Sequence, residues 1–260
     1  METIEIERDG GVVTVVMNRP HRKNAATATM FTELARCFDE VERRHDDRVL
    51  VLTGAGGDFC SGADLVDPDN PLRKGAEPHL VQMRRVGDTV LALHRLTKPT
   101  IAKVDGVAVG IGMSFALGCD LVVASDRARF SLLFSRRALS LDGGSSWLLP
   151  RRIGAGRAKE VALFGGMYGA AEARDLGIVN RVVPADELDG FVGDWARTLA
   201  AGPPVALSMT KTLLDHSWSV GLAEALEDEA RCQALNMTSA DTAEAMAAIV
   251  EKREPRFVGR

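Results

Sequence analysis

The stretch IAKVDGVAVGIGMSFALGCDLVV, residues 101–123, carries the pattern that decides the fold. An apolar run at 101–104 leads into a glycine-rich turn at 105–112, apolar residues follow at 113–117, and a second apolar run occupies 121–123. Apolar runs without polar alternation are typical of strands that are buried on both faces. The stretch therefore predicts a strand, a turn, a helix and a second strand.

The same alternation precedes this stretch. β-branched residues flank the turn signal Asp9-Gly10-Gly11 and predict a hairpin, and apolar residues at helical spacing predict a helix over 27–41. An apolar run at 49–52 predicts a strand, and a helical pattern passes through 90–96. Strands and helices that alternate in this way predict an α/β fold.

The last third of the chain has a different pattern. After Val183 the strand signals stop, and helical patterns follow one another at 188–199, 205–214, 222–235 and 242–250. We therefore divide the chain into an α/β core at 1–183 and a C-terminal helical region at 184–260. Apolar residues in the last two helices exceed what the end of a chain covers by itself, which predicts that copies of the chain assemble with one another. These residues are Leu222, Leu226, Leu235, Met246 and Ile249.

Composition excludes several classes of function. The 260 residues include 36 acidic and 32 basic side chains, for a net charge of -4 without long runs of either sign, so we expect no nucleic-acid partner. The apolar stretches are too short for a membrane span and the N-terminus lacks a signal-like segment, so we expect a cytoplasmic protein. The five histidines and four scattered cysteines have no metal-ligand spacing, and no disulfide framework or metal site is predicted.

Two glycine-rich turns are the strongest local signals. The first, at 54–65, follows the strand that ends at Leu52, and the second lies at 105–112. Glycine at the end of a strand either makes a tight turn or lets backbone N–H groups face a ligand. Two such turns side by side can aim two N–H donors at one oxygen, as an oxyanion requires. Spacing alone leaves both interpretations open.

Five motifs in order resemble the enoyl-CoA hydratase/isomerase (crotonase) superfamily over almost the whole chain. They are R-P-H-R-K-N-A at 19–25, F-C-S-G-A-D-L at 59–65, the turn at 105–112, C-D-L at 119–121 and E-K-R at 251–253. The resemblance implies a core of repeated ββα units, a C-terminal helical region used in trimerisation, and an acyl-CoA thioester as ligand. We therefore expect a threefold assembly, either a homotrimer or a hexamer made of two trimers. Coenzyme A then enters as part of the substrate, and no tightly bound cofactor is expected.

The resemblance also assigns site residues. The backbone N–H groups of Ala63 and Ile111 match the family's oxyanion hole. Lys23 and Ala25 match positions that contact the CoA nucleotide. Ala63, Asp64 and Leu65 are likewise expected to contact the CoA part of the substrate. Lys252 matches a basic residue of the helical end that approaches the CoA phosphates.

The chain departs from the family's hydratases at two positions. Those enzymes carry two glutamates, and the matching residues here are Ser114 and Phe134, neither of which exchanges a proton as a carboxylate does. The segment L-D-G-G-S-S-W-L-L-P at 141–150 instead resembles the subgroup that contains the epoxide and enoyl-CoA isomerases of phenylacetate breakdown. In that subgroup the aspartate, here Asp142, is the catalytic base.

Asp142 suits the movement of a double bond. Such a shift removes one proton and returns it two carbons away, which one carboxylate can do when the oxyanion is held. Apolar neighbours in sequence, among them Phe134 and Trp147, favour a raised pKa for this carboxyl. The alternative is that Asp142 only forms a turn and caps a helix that begins near Ser145.

Three functions follow in order of preference. We expect an enoyl-CoA isomerase with Asp142 as base. The alternatives are a hydratase that uses Asp142, or a water held by Ser114, and a non-catalytic acyl-CoA binding protein. If Asp142 is not the base, Asp64 and Asp67 are the next candidates. The tail of the acyl group is expected near the loop at 66–78 and the helical segment at 81–96.

Overall fold

The computed structural model describes residues 1–66 and 78–260. The loop predicted at 66–78 therefore lies, apart from its two end residues, outside the described residues, and so does Asp67.

The described residues contain two sheets. The strands are β1 Ile4–Asp9, β2 Val12–Met17, β3 Val49–Gly54, β4 Thr100–Val104, β5 Val107–Val109, β6 Leu121–Ser125, β7 Arg129–Ser131, β8 Tyr168–Gly169 and β9 Arg181–Val183. The larger sheet has the order β1-β2-β3-β4-β6-β9 and the smaller one the order β5-β7-β8. In the larger sheet only the hairpin β1–β2 is antiparallel, and each other neighbouring pair is parallel. The carboxyl ends of β3 and β4 consequently meet at one edge, where the two glycine turns begin.

Ten α-helices surround the sheets within the described ranges. They are α1 Ala28–Arg43, α2 His79–His94, α3 Ile111–Gly118, α4 Ser145–Ile153, α5 Ala155–Phe164, α6 Ala170–Leu176, α7 Leu188–Ala201, α8 Pro204–His216, α9 Leu222–Met237 and α10 Ala240–Glu251. The predicted helix over 27–41 corresponds to α1, which begins after Thr27, because the Thr27 hydroxyl accepts a hydrogen bond from the N–H of Met30. The order β4, β5, α3 is one of the expected ββα units.

The larger sheet is buried on both faces, as its apolar strands predict. Within β3, Leu50 and Leu52 pack into the main core with helices α1 to α3. Val49 and Val51 point to the other face and form a second cluster with α7. Each strand residue therefore meets an apolar partner, which accounts for the absence of polar alternation.

Helix α7 connects the helical region to the core. Its residues Leu188, Val192, Ala196 and Ala200 are buried against the sheet. Helix α9, in contrast, has no buried residue, and the large apolar side chains predicted to drive assembly are exposed. The boundary at 183/184 stays a prediction, with α7 as the element that packs across it.

Across residues 1–66 and 78–260, no helix has both the length and the apolarity needed to cross a membrane. The same residues contain no cluster of three or more His, Cys, Asp or Glu side chains arranged for a metal ion.

Candidate active site

The two glycine turns lie against each other at the edge of the sheet. The Cys60 N–H donates to the Val107 carbonyl, and the Val109 N–H donates to the Cys60 carbonyl, each at 2.9 Å. A Cβ at Gly112 would lie 2.2 Å from the Cys60 oxygen, so only glycine allows α3 to begin this close to the first turn. The structure therefore brings the segments of Ala63 and Ile111 together.

The peptide groups before Ala63 and Ile111 have fixed orientations. The Gly62 carbonyl accepts a 2.8 Å hydrogen bond from the Ala26 N–H, and the Gly110 carbonyl accepts one of 3.1 Å from the Ser114 N–H. Since N–H and C=O point in opposite directions in a trans peptide, the N–H groups of Ala63 and Ile111 face away from these partners. Within the described part of the chain neither N–H donates to a protein acceptor. Ile111 is also the first residue of α3, where the helix dipole adds positive potential.

The loop that carries Asp142 packs on the first turn of α3. A Cβ at Gly143 would lie 2.4 Å from Ile111 Cδ1 and 2.9 Å from Ser114 Cβ, and Gly143 has φ +54°. The Ser114 hydroxyl donates to the backbone oxygen of Asp142 at 3.3 Å. Asp142 thus directly precedes Gly143, the residue that packs on Ile111 and Ser114.

The Asp142 carboxyl is largely removed from water. Its Oδ1 is buried and has no hydrogen-bond partner among the residues described. Burial raises the pKa of Asp142 from an ordinary 3.8 to about 6. The raised pKa agrees with the expectation from the apolar neighbours of Asp142 in sequence. Of these, Phe134 is buried, and a Cβ added at Gly110 would lie 3.8 Å from its ring. A carboxyl with a raised pKa is a stronger base than a solvated one.

The alternative role of Asp142 as a helix cap is only partly realised. Helix α4 does begin at Ser145, but its N-cap is Gly144 and no side chain caps it. The backbone oxygen of Asp142 accepts from the N–H and hydroxyl of Ser145, at 3.1 and 2.8 Å. The turn therefore uses the main chain of Asp142 and leaves its carboxyl unused.

The turn at 19–25 is held beside the first glycine turn. Asn24 is fully buried, and its side-chain amide donates to the carbonyls of Ala55 and Asp58 at 2.8 and 2.6 Å. Its carboxamide oxygen accepts from the N–H of Arg19 at 2.8 Å. Lys23, at φ 49°, has an exposed side chain that forms a 3.6 Å ion pair with Asp58, whereas Ala25 is buried. The predicted CoA-binding residues Lys23 and Ala25 are thus close to the segment of Ala63.

Asp64 and Leu65 differ in their surroundings. Asp64 is buried and pairs with Arg19 at 3.0 Å. Burial raises the pKa of Asp64, but hydrogen bonds from Arg19 and the Val66 N–H outweigh this effect and leave the pKa below its ordinary value. A paired carboxylate of low pKa is a weak base, so Asp64 is a poor substitute for Asp142. Leu65 is half exposed and free to contact a ligand.

The hydrogen bonds near Lys252 join the C-terminal tail to α10 and to Arg48. It ends α10 in a left-handed conformation, and the tail after it folds back so that the Val258 N–H donates to Asp241 at 2.7 Å. The Phe257 carbonyl accepts a hydrogen bond from Arg48, which lies just before the first residue of β3. The first glycine turn lies at the other end of this strand, after its last residues. No hydrogen bond or ion pair in the described ranges joins Lys252 to residues 19–25, and its role stays a prediction.

A thiol and two hydroxyls near the site are buried. Cys60 is buried, and burial raises the pKa of its thiol to about 11. Ser114 is fully buried, and its hydroxyl lies near two backbone oxygens, those of Gly110 and Asp142. Ser145 is likewise buried, with its hydroxyl on the Asp142 oxygen. These hydroxyls organise the loop.

A cavity of about 810 Å³ opens next to Gly144, between helices α2, α4 and α8. Its apolar wall includes Val90, Leu91 and Leu148, and Gly87 leaves open space in the middle of α2. The volume lies within the range of small-molecule pockets. The cavity coincides in part with the helical segment expected to shape the acyl-tail site.

Comparison with known proteins decides the family. The family model described as enoyl-CoA hydratase/isomerase matches residues 7–260. The chain belongs to this family. It is 38% identical over its whole length to 1,2-epoxyphenylacetyl-CoA isomerase of Escherichia coli (strain K12), and covers all of that protein. It is 34% identical to 4-chlorobenzoyl coenzyme A dehalogenase-2 of Arthrobacter sp, over 87% of this chain and 82% of that one.

Solved structures show the same fold. Enoyl-CoA hydratase from Bacillus anthracis is 30% identical and superposes with a TM-score of 0.93, over 99% of this chain and 100% of that one. The α/β core with its C-terminal helices is therefore the crotonase fold, as the motifs predict. These relatives are named an isomerase, a dehalogenase and a hydratase, so membership in the enoyl-CoA hydratase/isomerase family leaves the reaction to be argued from the site.

Two structural features of the site were not predicted. Asn24 and the Arg19–Asp64 pair connect the turn at 19–25 to the first glycine turn. A signal for Asn24 exists, since asparagine tolerates the left-handed conformation that it adopts at φ 55°. The ion pair joins residues 45 positions apart, and spacing gives no signal for it.

Proposed function

We propose that this member of the enoyl-CoA hydratase/isomerase family is an isomerase that moves a double bond in an enoyl-CoA thioester. The Ala63 and Ile111 N–H groups stabilise the enolate oxygen of the thioester. Asp142 removes a proton from the carbon between the thioester and the double bond, and returns it to the far carbon of that bond. Coenzyme A is part of the substrate, and the reaction needs no other cofactor.

The observation that carries this proposal is the isolation of the Asp142 carboxyl. Its Oδ1 is buried without a partner in the described ranges, its pKa is raised to about 6, and its loop contacts Ile111. A group with these properties accepts a proton in the pH range near neutrality and holds it away from bulk water. Both requirements apply to a proton that must return to the same substrate.

The two family glutamate positions argue against water addition. Ser114 is fully buried beside the Asp142 loop, and Phe134 forms an apolar wall near Gly110. There is little room beside Ser114, because a Cβ added at Gly143 would lie 2.9 Å from Ser114 Cβ, so the longer side chain of a glutamate at 114 would compete with the Asp142 loop for this space. The packing of the Asp142 loop on α3 therefore favours one carboxylate over the hydratase pair.

Product mass after incubation with a 3-enoyl-CoA and, separately, a 2-enoyl-CoA tests the proposal. We expect 3-enoyl-CoA to give an isomer of unchanged mass that absorbs as a conjugated thioester. A product heavier by one water would establish the hydratase alternative. Unchanged substrate together with thermal stabilisation by acyl-CoA would establish the non-catalytic binder.

We further propose that the chain works as a homotrimer, or a dimer of trimers, in the cytoplasm. The exposed apolar residues of α9 and α10, among them Leu226 and Ile249, support assembly.

A further inference from the structure

We propose that Arg19 and Asp64 are positioning residues that hold the peptide between Gly62 and Ala63, and hence the Ala63 N–H, at the angle that the thioester oxygen requires. The proposal deepens the proposed function and rests on its oxyanion hole. Neither side chain is asked to touch the reacting atoms.

The ion pair is close and protected from water. Both terminal nitrogens of Arg19 lie 3.0 Å from the same oxygen, Oδ2 of Asp64. The side chains are exposed by 15% for Arg19 and 2% for Asp64. Buried ion pairs have low mobility, because separating the two charges would leave each of them buried without a partner. The charges of an exposed pair, in contrast, can separate and bind water instead.

Arg19 also fixes the chain opposite Ala63. Its Nη1 donates to the Ala25 carbonyl at 2.5 Å. The next residue, Ala26, donates to the Gly62 carbonyl at 2.8 Å and accepts from the Asp64 N–H at 2.9 Å. One guanidinium therefore holds both sides of the short parallel bridge between Ala26 and Ala63.

The consequence for Ala63 follows from peptide geometry. The Gly62 oxygen is held by Ala26, and the carboxylate that follows Ala63 is held by Arg19. Gly62 has φ +113°, and a glycine backbone is conformationally permissive. The orientation of the peptide between Gly62 and Ala63 is therefore set by contacts with neighbouring residues. If the ion pair is lost, the peptide between Gly62 and Ala63 rotates more freely, and the Ala63 N–H no longer points at the thioester oxygen. Misplacement of a donor by about 1 Å is enough to lower a rate by roughly 10²-fold.

The test uses Asp64→Asn and Arg19→Lys in the full chain. The variant Asp64→Asn keeps the shape of the side chain and removes the charge, whereas Arg19→Lys keeps the charge and removes the two-pronged geometry. The readout is the infrared carbonyl band of bound butanoyl-CoA labelled with ¹³C at the thioester carbon. Two N–H donors on that oxygen weaken the C=O bond and shift the band to lower frequency, whatever reaction the site performs.

A matched control pair lies on another part of the fold. Arg8 and Asp47 form an ion pair at 3.2 Å with Asp47 buried to a similar degree as Asp64, but Asp47 precedes β3 whereas Ala63 belongs to the turn after it. Arg8→Lys and Asp47→Asn are expected to lower thermal stability without a change in the carbonyl band of the bound ligand.

We expect each site variant to lose at least about half of the wild-type band shift, and kcat to fall about 10- to 100-fold with KM little changed. Should Asp64→Asn fail to fold, the result with Arg19→Lys decides. A wild-type band shift and kcat in the folded variants would overturn the inference and leave the proposed function intact. If wild-type protein itself causes no band shift, the oxyanion hole is absent and the proposed function fails with it.

Discussion

Replacement of Asp142 by asparagine should make the protein more stable and nearly inactive. The substitution keeps the size of the side chain and removes a negative charge from a site where burial raises the pKa from 3.8 to about 6. A pKa difference of this size means that ionising Asp142 costs roughly 3 kcal/mol more in the folded chain than in the unfolded chain. Since Asp142 is partly in contact with water, we expect about 1–2 kcal/mol.

The sign of the effect depends on pH. The folded state favours the protonated carboxyl, so its contribution to stability is fully present below pH 3.8 and is lost as the pH rises through about 6. Asparagine has no charge to lose. The free energy of unfolding of Asp142→Asn should therefore exceed that of wild type by about 1–2 kcal/mol at pH 8, and equal it near pH 3.5 where both remain folded.

Activity should change in the opposite direction. Wild-type kcat/KM for a 3-enoyl-CoA should increase with pH through about 6 and then level off, because the base must be ionised. At pH 8 Asp142→Asn should reduce kcat by roughly 10²-fold or more, with affinity for acyl-CoA little changed, since backbone N–H groups hold the thioester.

Urea unfolding at pH 8 measures the change in stability, and initial rates measure the change in kcat. Asp126→Asn is the control, because Asp126 is exposed and lies outside the site. Turnover within a few-fold of wild type, together with a loss of about 1 kcal/mol at pH 8, would falsify the reasoning and indicate a purely structural turn residue.

Three further outcomes are expected. A Cβ at Gly143 would lie 2.4 Å from a buried atom of α3, so Gly143→Ala should lower the free energy of unfolding by about 1–3 kcal/mol and reduce kcat. The control is Gly144→Ala, whose added Cβ would meet its nearest atom at 3.5 Å and should cause only backbone strain. Gly87→Leu should reduce kcat/KM for substrates with long acyl groups and leave kcat/KM for short ones unchanged, because the new side chain fills the cavity beside Gly144. The control Gly190→Leu, on α7, should change kcat/KM for neither class of substrate, and an equal loss for all chain lengths in Gly87→Leu would contradict the prediction. Leu226→Arg should convert the proposed trimer into smaller species in light scattering. A wild-type protein that is already a monomer at micromolar concentration would contradict the assembly proposal.

Local sequence was sufficient for most of the core. The hairpin around Gly10, helix α1 and strands β3, β4 and β6 lie where periodicity and turn residues place them, because each element buries its own apolar pattern. Helix α2, His79–His94, agrees with the helical segment expected at 81–96. Its apolar periodicity is clear only from residue 90 onward, because part of its buried surface is polar, with Gln82 and Thr89 inside.

The site was predictable where a motif encodes it locally. The two glycine turns and the raised pKa of Asp142 follow from short segments and apolar neighbours. The Arg19–Asp64 pair, the contact of Gly143 with Ile111 and the position of Lys252 depend on tertiary packing between distant segments, which no spacing in the sequence records.

The most direct test of the proposed reaction follows the proton itself. A 3-enoyl-CoA that carries deuterium at C2, incubated with the protein in ordinary water, should yield the 2-enoyl isomer with part of the label at C4, because one carboxyl shielded from water both removes and returns the proton. Asp142→Asn should give almost no product in the same time. Product that gains one water, or isomer that contains no deuterium at C4, would contradict a single-base mechanism at Asp142.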